Sequence, residues 1–142
     1  MNQVKQYCSF FVGAHYFGVD VQQVQEVVRY QQMTKVPLSA PEVGGLINLR
    51  GQIVTAIDLR RRLQLAARAE NQLPMNVVVS TDEQPVSLLV DEIGDVVDAD
   101  EQMFERIPET LIGAAREMIT GVYKLKDRLL LILDVSKAIN FS

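Results

Sequence analysis

Three aspartates stand where chemistry could be done: Asp58, Asp91 and Asp134 each close an apolar run. Paired carboxylates work as general acid and general base when their surroundings push their pKa values apart. Two of the three in one open cleft, roughly 5–9.5 Å apart, would read as a small acid–base hydrolase. The simpler reading is that each aspartate ends a strand and offers its carboxylate to the free amide hydrogens of the next turn of chain. Other reactive groups are sparse. The single histidine, His15, sits at a hairpin start, and the single cysteine, Cys8, lies in an apolar run where a buried small hydrophobe is expected. One histidine and one cysteine make no zinc set, and a lone cysteine closes no internal disulfide. The chain carries no Gly-x-Ser-x-Gly, no P-loop and no Gly-x-Gly-x-x-Gly opening a helix. No catalytic residue, metal or cofactor is assigned.

The elements that position these aspartates read as strands. Residues 45–58 (GLINLRGQIVTAID) form two apolar, partly β-branched runs around Arg50-Gly51 and read as a hairpin with most of its surface covered, glycine reaching the positive φ a tight turn needs. Asp58 then caps a short helix over 59–65, where Arg60, Arg61 and Arg62, with Arg68 beyond, read as a solvated basic face. Before this unit, 7–12 and 15–19 form a hairpin around Gly13-Ala14, a strand follows over 24–30, and Pro37 and Pro41 bracket a loop. After it, the polar stretch 66–74 is a linker. Short strands follow over 76–80, 85–90 and 94–98, then a long polar connection over 98–117. A last hairpin, 118–125 with 128–134, leads to a terminal helix over 135–141.

The last hairpin repeats the middle one. Residues 121–135 lie on 45–59 without a gap, pairing Gly45 with Gly121, Leu49 with Leu125, Asp58 with Asp134 and Arg50 with Lys126. Upstream, Gln25-Glu26-Val27-Val28 parallels Gly94-Asp95-Val96-Val97, and Val36-Pro37 parallels Ile107-Pro108. Three matches in one order point to an internal duplication with halves of about 7–65 and 75–139. Short strands every 8–12 residues suggest small barrels, whose closure removes exposed edges. Half of a 142-residue chain is too small to hold a strong core alone, so the two should pack together. The seam between them would be a place for a partner to dock. The expected fold is all-β: two small β-barrels packed on each other, with short helices after Asp58 and at the C-terminus. A net charge of −4 argues against nucleic acid or an anionic membrane as partner. The N-terminus lacks a signal peptide and no run is long enough to span a bilayer, so a cytoplasmic protein is expected.

At Asn48-Leu49-Arg50-Gly51, followed by Ile53 and Ile57-Asp58-Leu59-Arg60, the sequence resembles the chemotaxis coupling protein family, the CheW-like domains. The similarity runs from about Val4 to Ile139 and takes in Val24 to Val27, Val36-Pro37, Gly45 and the strand ends at Asp91 and Asp134. One departure is Thr55, where the family often has proline, a change a non-hydrogen-bonded strand edge tolerates. The resemblance implies a single CheW-like domain over 1–142, built of two SH3-like barrels, the first strand being free to pair with the second lobe. It implies a non-enzymatic adaptor that couples methyl-accepting chemoreceptors to the histidine kinase CheA. The groove between the barrels would take the receptor's cytoplasmic helical tip, and barrel ends would meet the kinase's regulatory domain. By the same resemblance Val24, Glu26, Val27, Gly45, Asn48, Arg50 and Gly51 are partner-binding residues, with Val24, Val27 and Gly45 near that groove and Glu26 and Arg50 a polar pair, while Pro108 and Leu111 fall near a second kinase contact. A mixed ring with these partners is one arrangement two repeated lobes permit. The alternatives are a coupling protein for pilus motility or development and, from another class, the hydrolase.

Overall fold

The computed structural model describes residues 4–140. Val4–Val12 (β1) and His15–Asp20 (β2) pair antiparallel around Gly13, whose φ of 58° only a glycine adopts cheaply. Asp20 caps a single 3-10 turn by accepting a hydrogen bond from the Gln22 amide at 2.9 Å, and Val24–Val28 (β3) follows. Val43–Leu49 (β4) and Gln52–Asp58 (β5) are the central hairpin, and Leu59–Arg62 (α1) is its capped helix, shorter than the expected 59–65. Then come Met75–Val79 (β6), Val86–Val90 (β7) and Glu92–Asp100 (β8). The stretch 98–117 is not one long connection. It completes β8, adds a two-residue strand Phe104–Glu105 (β9), and ends in Ala114–Glu117 (α2). Ile119–Lys124 (β10), Leu129–Leu133 (β11) and Val135–Ile139 (α3) close the chain. Phe141, expected in the last helix, lies outside the described residues.

The strands form two sheets, in the orders β3-β6-β7-β5-β4 and β8-β1-β2-β11-β10-β9. Each curls into an SH3-like barrel, here called barrel one and barrel two. Each also draws strands from both halves of the chain: β1 and β2 join the C-terminal strands, while β6 and β7 join β3, β4 and β5.

Every strand pairing in one barrel has a counterpart in the other, though the edge strands differ in length. The hairpin pair Gly45 with Ala56 becomes Gly121 with Ile132, and both hairpins shift register at the same place, between Val43 and Gly45 and between Ile119 and Gly121. The parallel pair Ala56 with Ser87 becomes Ile132 with Gly18. The edge pair Val27 with Val77 becomes Val96 with Cys8. Thr34, which bridges to Leu46, corresponds to Glu105, which pairs with Val122. Both caps recur as well, since Asp58 and Asp134 accept from Arg60 and Lys137 amides at 3.0 and 3.2 Å.

Alternation along the strands then sorts the side chains into layers. Phe10, Phe17, Val19, Ile57, Val77, Val79, Leu88, Leu131 and Leu133 face the space between the sheets and form the main core. Inside barrel two sit Tyr7, Ala99, Tyr123, Leu130 and Ile132. The seam expected to receive a partner is therefore largely filled by the protein itself. It stays open at one mouth, a groove of about 630 Å³ whose lining includes Gln23, Thr55, Val86, Val135 and Ile139. Thr55 is not at a strand edge: β5 is flanked by β4 and β7, and Thr55 pairs with Leu46 on one side and Val86 on the other.

Candidate functional site

Asp58, Asp91 and Asp134 do not assemble acid–base chemistry. Asp91 receives four hydrogen bonds: from the Gly13 amide at 2.7 Å, from Arg60 Nε and Nη2 at 2.9 and 2.8 Å, and from Arg68 Nε at 2.8 Å. Arg68 also reaches Asp58 at 2.9 Å and the Leu89 carbonyl at 3.2 Å. Burial works to raise the Asp91 pKa, but the Arg60 and Gly13 hydrogen bonds and the two guanidinium charges outweigh it and hold the carboxyl below its usual range. A carboxylate so occupied has no site left for a proton or a substrate. The network joins the β1–β2 turn, the β7–β8 junction, α1 and the linker, so it ties the two barrels together.

This overturns the reading of the arginines as a solvated face. Arg60 and Arg68 are buried in the network, and Arg62 donates to the Ala138 and Lys137 carbonyls at 2.8 and 2.7 Å, closing the C-terminal end of α3. Only Arg61 of the helical three is exposed. Cys8 is half-buried, and burial together with the Asp20 charge pushes its thiol pKa up, away from reactivity. His15 stacks on Phe17 with ring centroids 5.8 Å apart. Among the described residues no three metal-ligating side chains come together, and no helix is long and apolar enough to cross a membrane.

The other candidate residues form a different kind of site. Arg50 and Gly51 both have positive φ, 52° and 88°, and turn the β4–β5 hairpin, while Asn48 Oδ1 accepts the Gly51 amide at 2.9 Å. A left-handed conformation costs a non-glycine residue about 1 kcal/mol, so Arg50 is held there against a local preference. Its guanidinium reaches Glu26 on β3 at 2.7 Å, with 79% of the Arg50 side chain exposed and 25% of Glu26. β3 and β4 are the two edges of their sheet, and this bridge spans them. Gly45 lets the chain beyond β3 pass close by: a Cβ there would sit 2.8 Å from the Thr34 carbonyl oxygen. Gly121 plays the same part under the Phe104 ring.

Val24 and Val27 separate. Val24 packs against the main core, whereas Val27 is exposed beside Glu26. Ile53, read from sequence as part of a covered hairpin, is 56% exposed. It lies two residues past the turn, on the face of β5 that also carries Thr55 and the core residue Ile57. Pro108 and Leu111 are half-buried, their carbonyls both accepting from Arg116 Nη1 at 2.7 and 3.0 Å. That loop is braced against α2 and has no contact with the Glu26–Arg50 pair among the hydrogen bonds described.

The chain matches the CheW-like domain over residues 6–141. It belongs to that family. It is 28% identical over 136 residues to the chemotaxis protein CheW of Klebsiella aerogenes, covering 96% of this chain and 82% of that one. Against the chemotaxis protein CheW of Bacillus subtilis it is 30% identical over 131 residues, covering 92% and 84%. The crystal structure of the scaffolding protein TtCheW from Thermoanaerobacter tengcongensis superposes with a TM-score of 0.83 at 28% identity, over 93% of this chain and 90% of that one. As a CheW-like protein the chain is a non-catalytic chemotaxis coupling adaptor, and the hydrolase reading is withdrawn.

Proposed function

We propose that this protein couples methyl-accepting chemoreceptors to the histidine kinase CheA in the cytoplasm, binding the receptor's helical tip and the kinase's regulatory domain. The observation that carries the reading is the Glu26–Arg50 pair, held across two strand edges with most of the arginine side chain in solvent. An exposed pair adds only about 0–1 kcal/mol to stability, too little to explain a strained arginine kept at the turn. Charges fixed on a surface beside exposed Val27 and Ile53 serve recognition better: the apolar groups give affinity and the charges set register and partner choice. The proposed partner-binding residues are Val24, Glu26, Val27, Gly45, Asn48, Arg50 and Gly51. Pro108 and Leu111 are proposed as a second kinase contact. Pull-down with a receptor cytoplasmic fragment and the CheA regulatory domain tests it. Capture of both is expected, and capture of neither refutes the assignment.

A further inference from the structure

Two polar side chains are sealed inside barrel one, and this inference rests on reading β3 as part of the partner-binding face. Asn76 on β6 and Ser87 on β7 are both fully buried, among valines and leucines. Buried polar groups are costly unless bonded. Ser87 Oγ donates to Asn76 Oδ1 at 2.7 Å, and Asn76 Nδ2 donates to the Arg29 carbonyl at 3.1 Å. Arg29 is the first residue beyond β3, where the chain leaves to cross over Gly45.

The two barrels differ at this point. In barrel two β8 is nine residues long and pairs with β1 as far out as Val4 with Asp100. In barrel one β3 is five residues long, and its last pair is Val28 with Asn76. The partner strand fails there because β6 starts at Met75, just after Pro74, which has no amide hydrogen. Pro74 stands where barrel two has Lys5, paired with Ala99. The positions matching Asn76 and Ser87 are Tyr7 and Gly18, and the Tyr7 hydroxyl bonds to Tyr123 rather than to a strand end. Barrel two instead tethers its edge strand at the bulge, where Ser9 Oγ donates to the Asp95 carbonyl. In barrel one a side chain does at the strand end what the backbone ladder does in barrel two.

We propose that Asn76, its side-chain oxygen satisfied by Ser87, is a positioning residue that pins the end of β3, so that Glu26 and Val27 are presented to a partner in one conformation. The pair Asn76→Val with Ser87→Ala removes both groups at once and leaves neither orphaned, so the melting temperature should stay within about 4 °C of wild type. Amide exchange at the end of β3, residues 26–28, should accelerate while β10 and β11 stay protected. Affinity for the CheA regulatory domain should fall about tenfold, the cost of ordering the freed strand end on binding. Asn76→Ser, which can still meet Ser87 but is too short for the Arg29 carbonyl, should show the same loss. Ser87→Ala alone keeps the Asn76 bond to Arg29 and should bind as wild type. Unchanged exchange at 26–28 in the double variant, or wild-type affinity in both Asn76 variants, overturns the proposal. A wild-type protein that does not bind the kinase domain sinks the functional reading instead, and the exchange measurement still decides the positioning role.

Discussion

Two of the carboxylate–guanidinium systems have nearly equal length and opposite use. Glu26 and Arg50 meet at 2.7 Å with most of the arginine in solvent, while Arg60 and Asp91 meet at 2.8 Å with 17% and 7% of their side chains exposed. The exposed pair is single, monodentate in its hydrogen bonding, and carried by a strained turn. The buried one is bidentate, shares Arg68, and takes a backbone amide from the opposite barrel. Distance alone does not separate a recognition pair from a structural clamp. What separates them is how much each loses when one partner is removed.

The largest effect should come from Asp91→Ala. It leaves Arg60 and Arg68 buried without their main partner, so unfolding free energy should drop by about 3–5 kcal/mol in a denaturant titration. The same clamp predicts an acid sensitivity. The Asp91 pKa is lowered in the folded protein, so its stabilisation is complete above the unfolded carboxyl value of about 4 and is lost as pH falls through the folded value. Stability measured from pH 6 down to pH 2 should fall below about pH 4 in wild type and fall less steeply in the Asp91 variant. Gly45→Ala should cost about 1–3 kcal/mol, since both its φ of 151° and the Thr34 carbonyl oppose a Cβ. Gly51→Ala, with a φ of 88° and open space around it, should cost about 1 kcal/mol. Chemical denaturation of the two side by side checks the order. Exchanging the charges of Glu26 and Arg50 should change stability least of all.

Much of this was legible in the sequence because strand patterns carry their own register. The match of 121–135 on 45–59 became equivalent hairpin pairs in the same register, and the match of 94–97 on 25–28 became equivalent edge-strand pairings. Local capping rules found Asp58 and Asp134. What stayed hidden depended on contacts between distant segments. Asp91 follows a strand as the other two aspartates do, and nothing local says that Arg60, Arg68 and Gly13 converge on it. The arginines looked solvated because helix periodicity says nothing about what a linker folds over. Ile53 looked buried because it shares a strand face with the core residue Ile57. That Glu26 lies beside Arg50 came from family resemblance, not from spacing, and the structure places them in contact.

The adaptor account is tested most directly by the double variant Glu26→Arg with Arg50→Glu, assayed for binding to the CheA regulatory domain beside each single variant. The swap keeps an ion pair within the protein but inverts the charges a partner meets. The account predicts a melting temperature close to wild type and binding as weak as in Arg50→Glu alone. Binding restored to wild-type strength by the swap would contradict it, because the bridge would then serve only to hold β3 against the β4–β5 turn.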